Sequence, residues 1–317
     1  LRWYITPEEV DYRSKNGSHF TIGVDTSDGI NCDDISFVVR DHIYGDVICA
    51  ANFNEANLIT IADFFVSFLM RYENSTMIIE RRSSAVTMID YMIGKLLAAG
   101  INPFKRMYNT IFQEKERYQR EYEEIVNART SDDYVFIKYK KHIGFATSGS
   151  GITARSELFS TTLLQMLKFT GHTLYDRKII DQISGLIEKN GRIDHPAGGH
   201  DDMVVGALLS YWLLTVGKNL SLYGMNTSML LKGNKVYLEE KYKTEEEEYD
   251  RSEMMAMEDE FNRLLDSFKA ERDPIICQQL EIRIHKLASN FKHSNQAVTV
   301  QEMLDNLSRD KRLSYVR

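Results

Sequence analysis

Apolar residues in this chain recur first at every second position and then at every third or fourth. The stretch "HFTIGVDTSDG" (19–29) is a β-branched run that ends in a turn rich in Asp, Ser and Gly, which predicts a strand. "DISFVVRD" and "GDVICAANF" predict two more strands with short connections, so the three read as an antiparallel meander. "NLITIADFFVSFLMRY" then places its apolar residues at helical spacing, and "STMIIE" is a short apolar strand that stops at Glu80. Serines at the start of "SSAVTMIDYMIGKLLAAG" and Gly100 at its end bracket a further helix. The resulting core order is β-β-β-α-β-α.

Residues 112–148 fit this order less well. A charged run, "QEKERYQREYEEI", precedes the alternating "YVFIKYKKHIGFATSG", and together they read as a hairpin-like elaboration on the central sheet. Beyond them "TARSELFSTTLLQMLKFTG" and "DRKIIDQISGLIEKNG" predict two amphipathic helices, and "HDDMVVGALLSYWLL" supplies the last core helix. After Leu220 the chain becomes highly charged and helical in pattern, with an acidic run at Glu245–Glu248 and a break at Asp273-Pro274. The predicted organisation is a polar leader or linker (1–18), an α/β domain with a mixed central sheet flanked by helices (19–224), and a charged helical tail (225–317).

Composition narrows the class. With 317 residues, 43% of them hydrophobic, the chain has ample material for a core. Its apolar stretches are short or interrupted, and "LRWYITPEEV" lacks the pattern of a secretory signal, so a cytoplasmic protein without a membrane partner is expected. Cys32, Cys49 and Cys277 are odd in number and widely spaced, which indicates packing residues and neither a disulfide framework nor a zinc site. A net charge of -7 argues against an overall cationic coat while leaving room for a local basic track.

Acids at the ends of apolar elements are the candidate chemistry. Asp25 ends the first strand, Glu80 ends the fourth, and Asp201 and Asp202 head the last core helix. If the first and fourth strands are parallel neighbours, Asp25 and Glu80 project from one end of the sheet, and a helix across that end brings in the third acid. Such a cluster repels itself unless cations neutralise it. Mg²⁺ favours a few carboxylates plus water and substrate phosphate, and a pair of such ions can activate water and stabilise a leaving oxygen in phosphodiester cleavage. Adjacent helical residues point about 100° apart, so Asp201 and Asp202 do not both face one ion equally; Asp202 is slightly favoured as principal ligand, with Asp201 a second ligand or water-holder. Taken singly, each acid has a plainer reading: Asp25 as a turn former, Glu80 as a surface partner of Arg81 and Arg82, Asp201-Asp202 and His200 as helix-terminal groups. Their joint order points instead to one metal-dependent site.

These residues resemble the nuclease domain of the large terminase subunit of tailed bacteriophages, a branch of the ribonuclease H-like fold. The resemblance runs from about His19 to Leu214 and rests on "IGVDTSDG", "MIIE" and, most specifically, "QISGLIEKNGRIDHPAGGHDDMVVGAL". It implies a ribonuclease H-like sheet and catalytic acids Asp25, Glu80, Asp201 and Asp202 binding two Mg²⁺ or Mn²⁺ ions. Asp33 or Asp34 would be a further acid near the site, and His200 an accessory group. The implied activity is endonucleolytic cleavage of double-stranded concatemeric viral DNA during genome packaging, in the cytoplasm of an infected bacterial host, alongside a portal and a small terminase subunit. DNA contacts would fall to Arg81, Arg82, Arg155 and the lysines Lys138, Lys140 and Lys141, some of which alternation in "FIKYKKH" would place on one strand face. The motif departs after Glu80, where Arg82 and Ala85 stand in place of the Asn and Gly of many relatives. Large subunits also carry an ATPase motor domain; this chain has no Gly-x-x-x-x-Gly-Lys-[Ser/Thr] loop, so the motor is expected elsewhere in a longer protein and ATP hydrolysis is not expected here. Two alternatives stay open: a resolvase-like nuclease acting on branched DNA, and a non-catalytic module that docks the packaging machinery.

Overall fold

A computed structural model of the chain describes residues 1–26, 35–53, 57–147, 151, 153–189, 192–196, 199–233, 256–257 and 259–290. The chain divides into two compact units, Leu1–Leu238 and Glu239–Arg317. The first is an α/β unit around a five-stranded mixed sheet of order β1-β4-β3-β2-β5. Its strands are β1 (Arg2–Trp3), β2 (Phe20–Asp25), β3 (Ile35–Asp41), β4 (Val47–Phe53) and β5 (Ser75–Ile79). Strands β2, β3 and β4 form the antiparallel meander, and β5 joins β2 in parallel after the crossover helix α2 (Leu58–Arg71). This is the β-β-β-α-β order and mixed strand sense expected of a ribonuclease H-like core.

Side-chain alternation divides the sheet into two faces. Phe20, Ile22 and Val24 of β2 join Met77 and Ile79 of β5 in a core under α2 and helix α3 (Ser83–Ala98). On the other face Thr21, Gly23 and Asp25 look toward helix α10 (Asp202–Thr215), which is buried from Asp202 to Leu214. A helix with no exposed stripe has to lie inside the fold. It packs on β2 and β3 and is covered by α8 (Leu163–Thr170) and α9 (Arg177–Ser184).

The leader is part of the sheet and not a linker. Arg2 and Trp3 pair with Ala50 and Cys49 of β4 and cover that strand's open edge, while Val10 of α1 (Pro7–Lys15) is fully buried. The expected hairpin within 112–148 is helical instead: α4 (Thr110–Gln113), α5 (Gln119–Asn127) and α6 (Asp133–Tyr139). In α6, Val135, Phe136 and Tyr139 are buried, a helical spacing that a short apolar run can disguise as alternation. Helix α7 (Arg155–Glu157) runs through a π-helical stretch, Leu158–Thr162, into α8, as one of the two predicted helices. The other stops at Ser184, short of its predicted end. The chain then forms a two-stranded antiparallel hairpin, β6 (Ile187–Lys189) and β7 (Arg192–Asp194). In the second unit, helical residues 259–270 (α11) and α12 (Pro274–Asn290) bury Phe261, Leu264, Leu265, Phe268, Cys277 and Ile284 together.

Helix α10 meets β2 backbone to backbone. A Cβ on Gly23 would lie 2.0 Å from the Gly206 carbonyl oxygen and 2.6 Å from the Ser210 nitrogen, whereas one on Gly206 would come only to 3.2 Å from the Gly23 carbonyl. Gly23→Ala therefore forces helix and sheet apart and is expected to cost about 1–3 kcal/mol or more, while Gly206→Ala costs markedly less. Thermal unfolding of the two variants measures this; equal melting temperatures would contradict the packing described.

Candidate functional site

Strand register brings the first two acids together. Gly23 pairs with Ile78 and Val24 with Ile79 across the parallel β2–β5 ladder, and the Glu80 amide donates to the Val24 carbonyl at 2.9 Å. Asp25 and Glu80 thus stand side by side at the ends of neighbouring strands, both on the α10 face. Helix α10 delivers Asp202 to the same place. The Ser36 hydroxyl donates to the Asp202 carbonyl at 2.5 Å and the Thr21 hydroxyl to the Ser210 carbonyl at 3.2 Å, which pins the helix along the sheet. Asp25, Glu80, Asp201 and Asp202 are exposed by only 3, 4, 6 and 8%.

The start of α10 shows that its acids are not spent on capping. Asp201 occupies the cap position but makes no side-chain cap bond. Gln182, from α9, accepts hydrogen bonds from the Met203 and Val204 amides at 3.0 and 3.3 Å and so fills the capping role. Asp201 instead accepts from the Arg155 guanidinium, which also lies 3.7 Å from Asp194. Asp202 has the His200 ring 3.6 Å away.

Two groups hold Glu80. The Thr147 hydroxyl donates to Oε1 at 2.5 Å, and Arg82 Nε lies 3.2 Å from Oε2. Thr147 arrives on a segment that bridges the end of β5, with the Phe145 amide donating to the Ile79 carbonyl at 2.7 Å. Arg82 is the N-terminal flanking residue of α3 and makes no side-chain cap bond there.

Electrostatically the centre is Asp25. Burial first, and then the neighbouring Glu80 carboxylate, holds its carboxyl well above the usual range, with Asp202 adding to the same effect and Arg82 opposing it. One of its oxygens, Oδ1, is buried without a hydrogen-bond partner among the described residues. At the other end of the sheet, buried acids are satisfied in the ordinary way: Asp41 accepts from Ser18 at 2.9 Å and from the Ile43 amide at 2.7 Å, and Asp46 takes Arg13 at 2.8 Å. Asp25, Asp201 and Asp202 line a cavity of about 260 Å³ together with Arg82 and Arg155. An acid with an unsatisfied buried oxygen in such a cavity fits a hard divalent cation, whose ligands are carboxylate oxygens.

Of the other sequence-predicted residues, Asp33 and Asp34 lie outside the described residues. Arg81 sits beside the site but does not line the cavity. Lys138 and Lys140 do not share a strand face. They belong to α6 and the turn after it, where Lys138 pairs with Glu124 at 2.9 Å and Lys140 with Asp90 at 2.8 Å, and Lys141 is exposed on the same turn. Sequence reasoning missed Thr147, Gln182, Asp194 and His195. The last two lie within the quoted "RIDHPAGGHDD" motif, so proximity to His200-Asp201-Asp202 was an available signal; Gln182 and Thr147 carry none.

The chain is similar in structure to large terminase nuclease domains of thermophilic phages. The large terminase nuclease of thermophilic phage G20c matches at 18% identity over 61% of this chain and 81% of that one, with a TM-score of 0.30. The same nuclease crystallised with bound magnesium matches at 14% identity over 61% and 80% of the respective chains, with a TM-score of 0.36. The nuclease domain of the Thermus phage P74-26 large terminase matches at 16% identity over 62% and 80%, with a TM-score of 0.35. No protein-family profile matches the chain, and neither does any curated protein.

The charge cluster makes a signed prediction for the metal-free protein. Because the folded pKa of Asp25 is raised, the folded state binds more protons than the unfolded one between the usual carboxylate range and that raised value. Stability is therefore lost as pH rises through this window. Asp25→Asn removes the repulsion, so its melting temperature should exceed that of the unsubstituted protein at neutral pH, by roughly 2–4 °C per kcal/mol relieved. The gap should close as pH falls. Asp41, pushed up to about 6 by burial, and His19, pushed down to about 3 by burial, act on both proteins alike and cancel in the difference. Mg²⁺ should raise the melting temperature of the unsubstituted protein and leave the variant nearly unmoved. A gap independent of pH would contradict this account.

Proposed function

We propose that this chain is a divalent-cation-dependent endonuclease that cuts double-stranded viral DNA during genome packaging. The observation that carries the reading is the meeting of Asp25, Glu80 and Asp202 from two parallel strand ends and one helix start, with a buried Asp25 oxygen that no described residue satisfies. These donors fit Mg²⁺ or Mn²⁺. Asp25 would serve both ions of a pair, with Glu80 and Asp202 holding one each and Asp201 in support. When bound, such ions supply charge neutralisation at the scissile phosphate and lower the pKa of the attacking water.

The protein's own part is positioning. Thr147 fixes the Glu80 carboxylate by its hydrogen bond, and His200, 3.6 Å from Asp202, orients that carboxylate. Arg82 and Arg155 border the cavity while paired to Glu80 and Asp201. As a phosphodiester enters, both guanidinium groups can exchange a carboxylate for phosphate oxygens, a geometry that suits their planar donors. Arg81 and Lys141 then extend the basic track along the backbone without reading bases. DNA as substrate, and the portal, small subunit and ATPase motor as partners in the cytoplasm of an infected bacterial host, follow from the sequence resemblance. Among the described residues no helix is long and apolar enough to cross a membrane.

Plasmid nicking and linearisation test the reading. Asp25→Asn and Glu80→Gln should lower cleavage in Mg²⁺ by on the order of 10²–10³-fold or more, with circular dichroism unchanged. Near-normal cleavage by either folded variant would sink the assignment. Binding to DNA of unrelated sequences should be similar and should weaken steeply with salt, since phosphate contacts release counterions. Affinity for one sequence that persists unchanged in high salt would point to base readout instead.

A further inference from the structure

We infer that Gln182 is a positioning residue for the acid cluster: by capping α10 from a neighbouring helix, it keeps the Asp201 carboxylate out of the cap and at the cavity. The inference deepens the nuclease reading and rests on it for what Asp201 is kept available to do.

A helix start leaves its first amides without partners, and the residue at the cap position ordinarily satisfies the second or third of them with its own side chain. In α10 these are the amides of Met203 and Val204, and the cap position holds Asp201, one of the residue types best suited to the task. Both amides donate to Gln182 instead, at 3.0 and 3.3 Å. Two N–H groups can be met only by the oxygen of its amide, so chemistry fixes the orientation of that side chain. The Asp201 backbone agrees with this division of roles. It lies at φ -130° and ψ 13°, away from the extended conformation from which a capping side chain reaches the first turn. Its carboxylate, 6% exposed, accepts from Arg155 and lines the cavity with Asp25 and Asp202.

Helix α9 aims the glutamine. Asp176 caps that helix by accepting from the Ile179 amide at 3.1 Å, and it is tied in turn to Arg2 at 2.8 Å and to Tyr4. Ile179 is fully buried in the same apolar cluster as Met203 and Val204, and Gln182, three residues on, shares its side of the helix. Burial of Ile179 thus sets the rotation of α9, and that rotation brings Gln182 to the start of α10. Without the glutamine oxygen, the two amides are left unpaired at a buried helix start, which is costly. The residue placed to replace it is Asp201. Taking up the cap requires its backbone to extend, which draws the carboxylate away from Arg155 and the cavity.

The test uses the full chain with Mn²⁺ as probe and Gln182→Met, which keeps side-chain length and helix propensity and removes the acceptor. Mn²⁺ affinity, read from the electron paramagnetic resonance signal of the free ion, should fall roughly tenfold in Gln182→Met. It should hold in Gln182→Glu, which restores an acceptor. The melting temperature without metal should move little in Gln182→Met, because Asp201 takes over the cap. Asp201→Ala protein can neither cap nor ligate through that residue. In that background Gln182→Met should leave the remaining Mn²⁺ affinity unchanged and lower the melting temperature by roughly 2–4 °C. Equal thermal losses in the two backgrounds, unchanged Mn²⁺ affinity in Gln182→Met, or an equal loss of affinity in Gln182→Glu would each overturn the proposal. Plasmid cleavage is followed in parallel. If the unsubstituted protein neither binds Mn²⁺ nor cleaves DNA, the nuclease reading fails, and the thermal comparison still decides whether Gln182 and Asp201 exchange the cap.

Discussion

Helix α10 and strand β2 touch through Gly23 and Gly206 with no side chain between them. Two residues along a strand advance about 6.6 Å, and four along a helix advance about 6.0 Å, so the contact repeats. Thr21 meets Ser210 through a hydrogen bond, Gly23 meets Gly206, and the next step pairs Asp25 with Asp202. A carboxylate on the sheet and one on the helix are thereby brought together by backbone geometry alone. Parallel pairing with β5 adds Glu80 beside Asp25.

The resulting cluster opposes folding, and its surroundings show how the fold tolerates it. Arg82 and Arg155 place positive charge on Glu80 and Asp201, and Gln182 takes over the capping of α10 that Asp201 would otherwise provide. Asp25 keeps a buried oxygen, Oδ1, without a hydrogen-bond partner among the described residues. Asp41 and Asp46, at the opposite end of the same sheet, are by contrast both engaged by donors. A hydrogen bond from Thr147 and nearby positive charge orient the remaining donors at the ends of β2 and β5 and the start of α10.

Around this centre the hairpin β6–β7 has a distinct place. It ends at Asp194 and so presents Asp194 and His195 to the cavity wall, where Arg155 already spans Asp194 and Asp201. A short hairpin is held less firmly than a central strand.

Much of this was legible in the chain itself. Period-two and helical apolar patterns marked β2, β3, β4, β5, α2, α3 and α10, because burial on one or both faces leaves a local imprint. The acids stood out because each interrupts such a pattern at an element end. Apolar periodicity could not decide whether "YVFIKYKK" is a strand or a helix, since the apolar residues of so short a run can be read with either period; packing of Phe136 near Phe104 in the core decided for α6. Nor could it foresee that residues 2 and 3 would close the β4 edge, that a glutamine 21 residues away would cap α10, or that Thr147 would hold Glu80. Those outcomes depend on a single hydrogen bond or strand pair between distant segments. Local sequence records which face is buried, and only the assembled fold determines which polar group meets it.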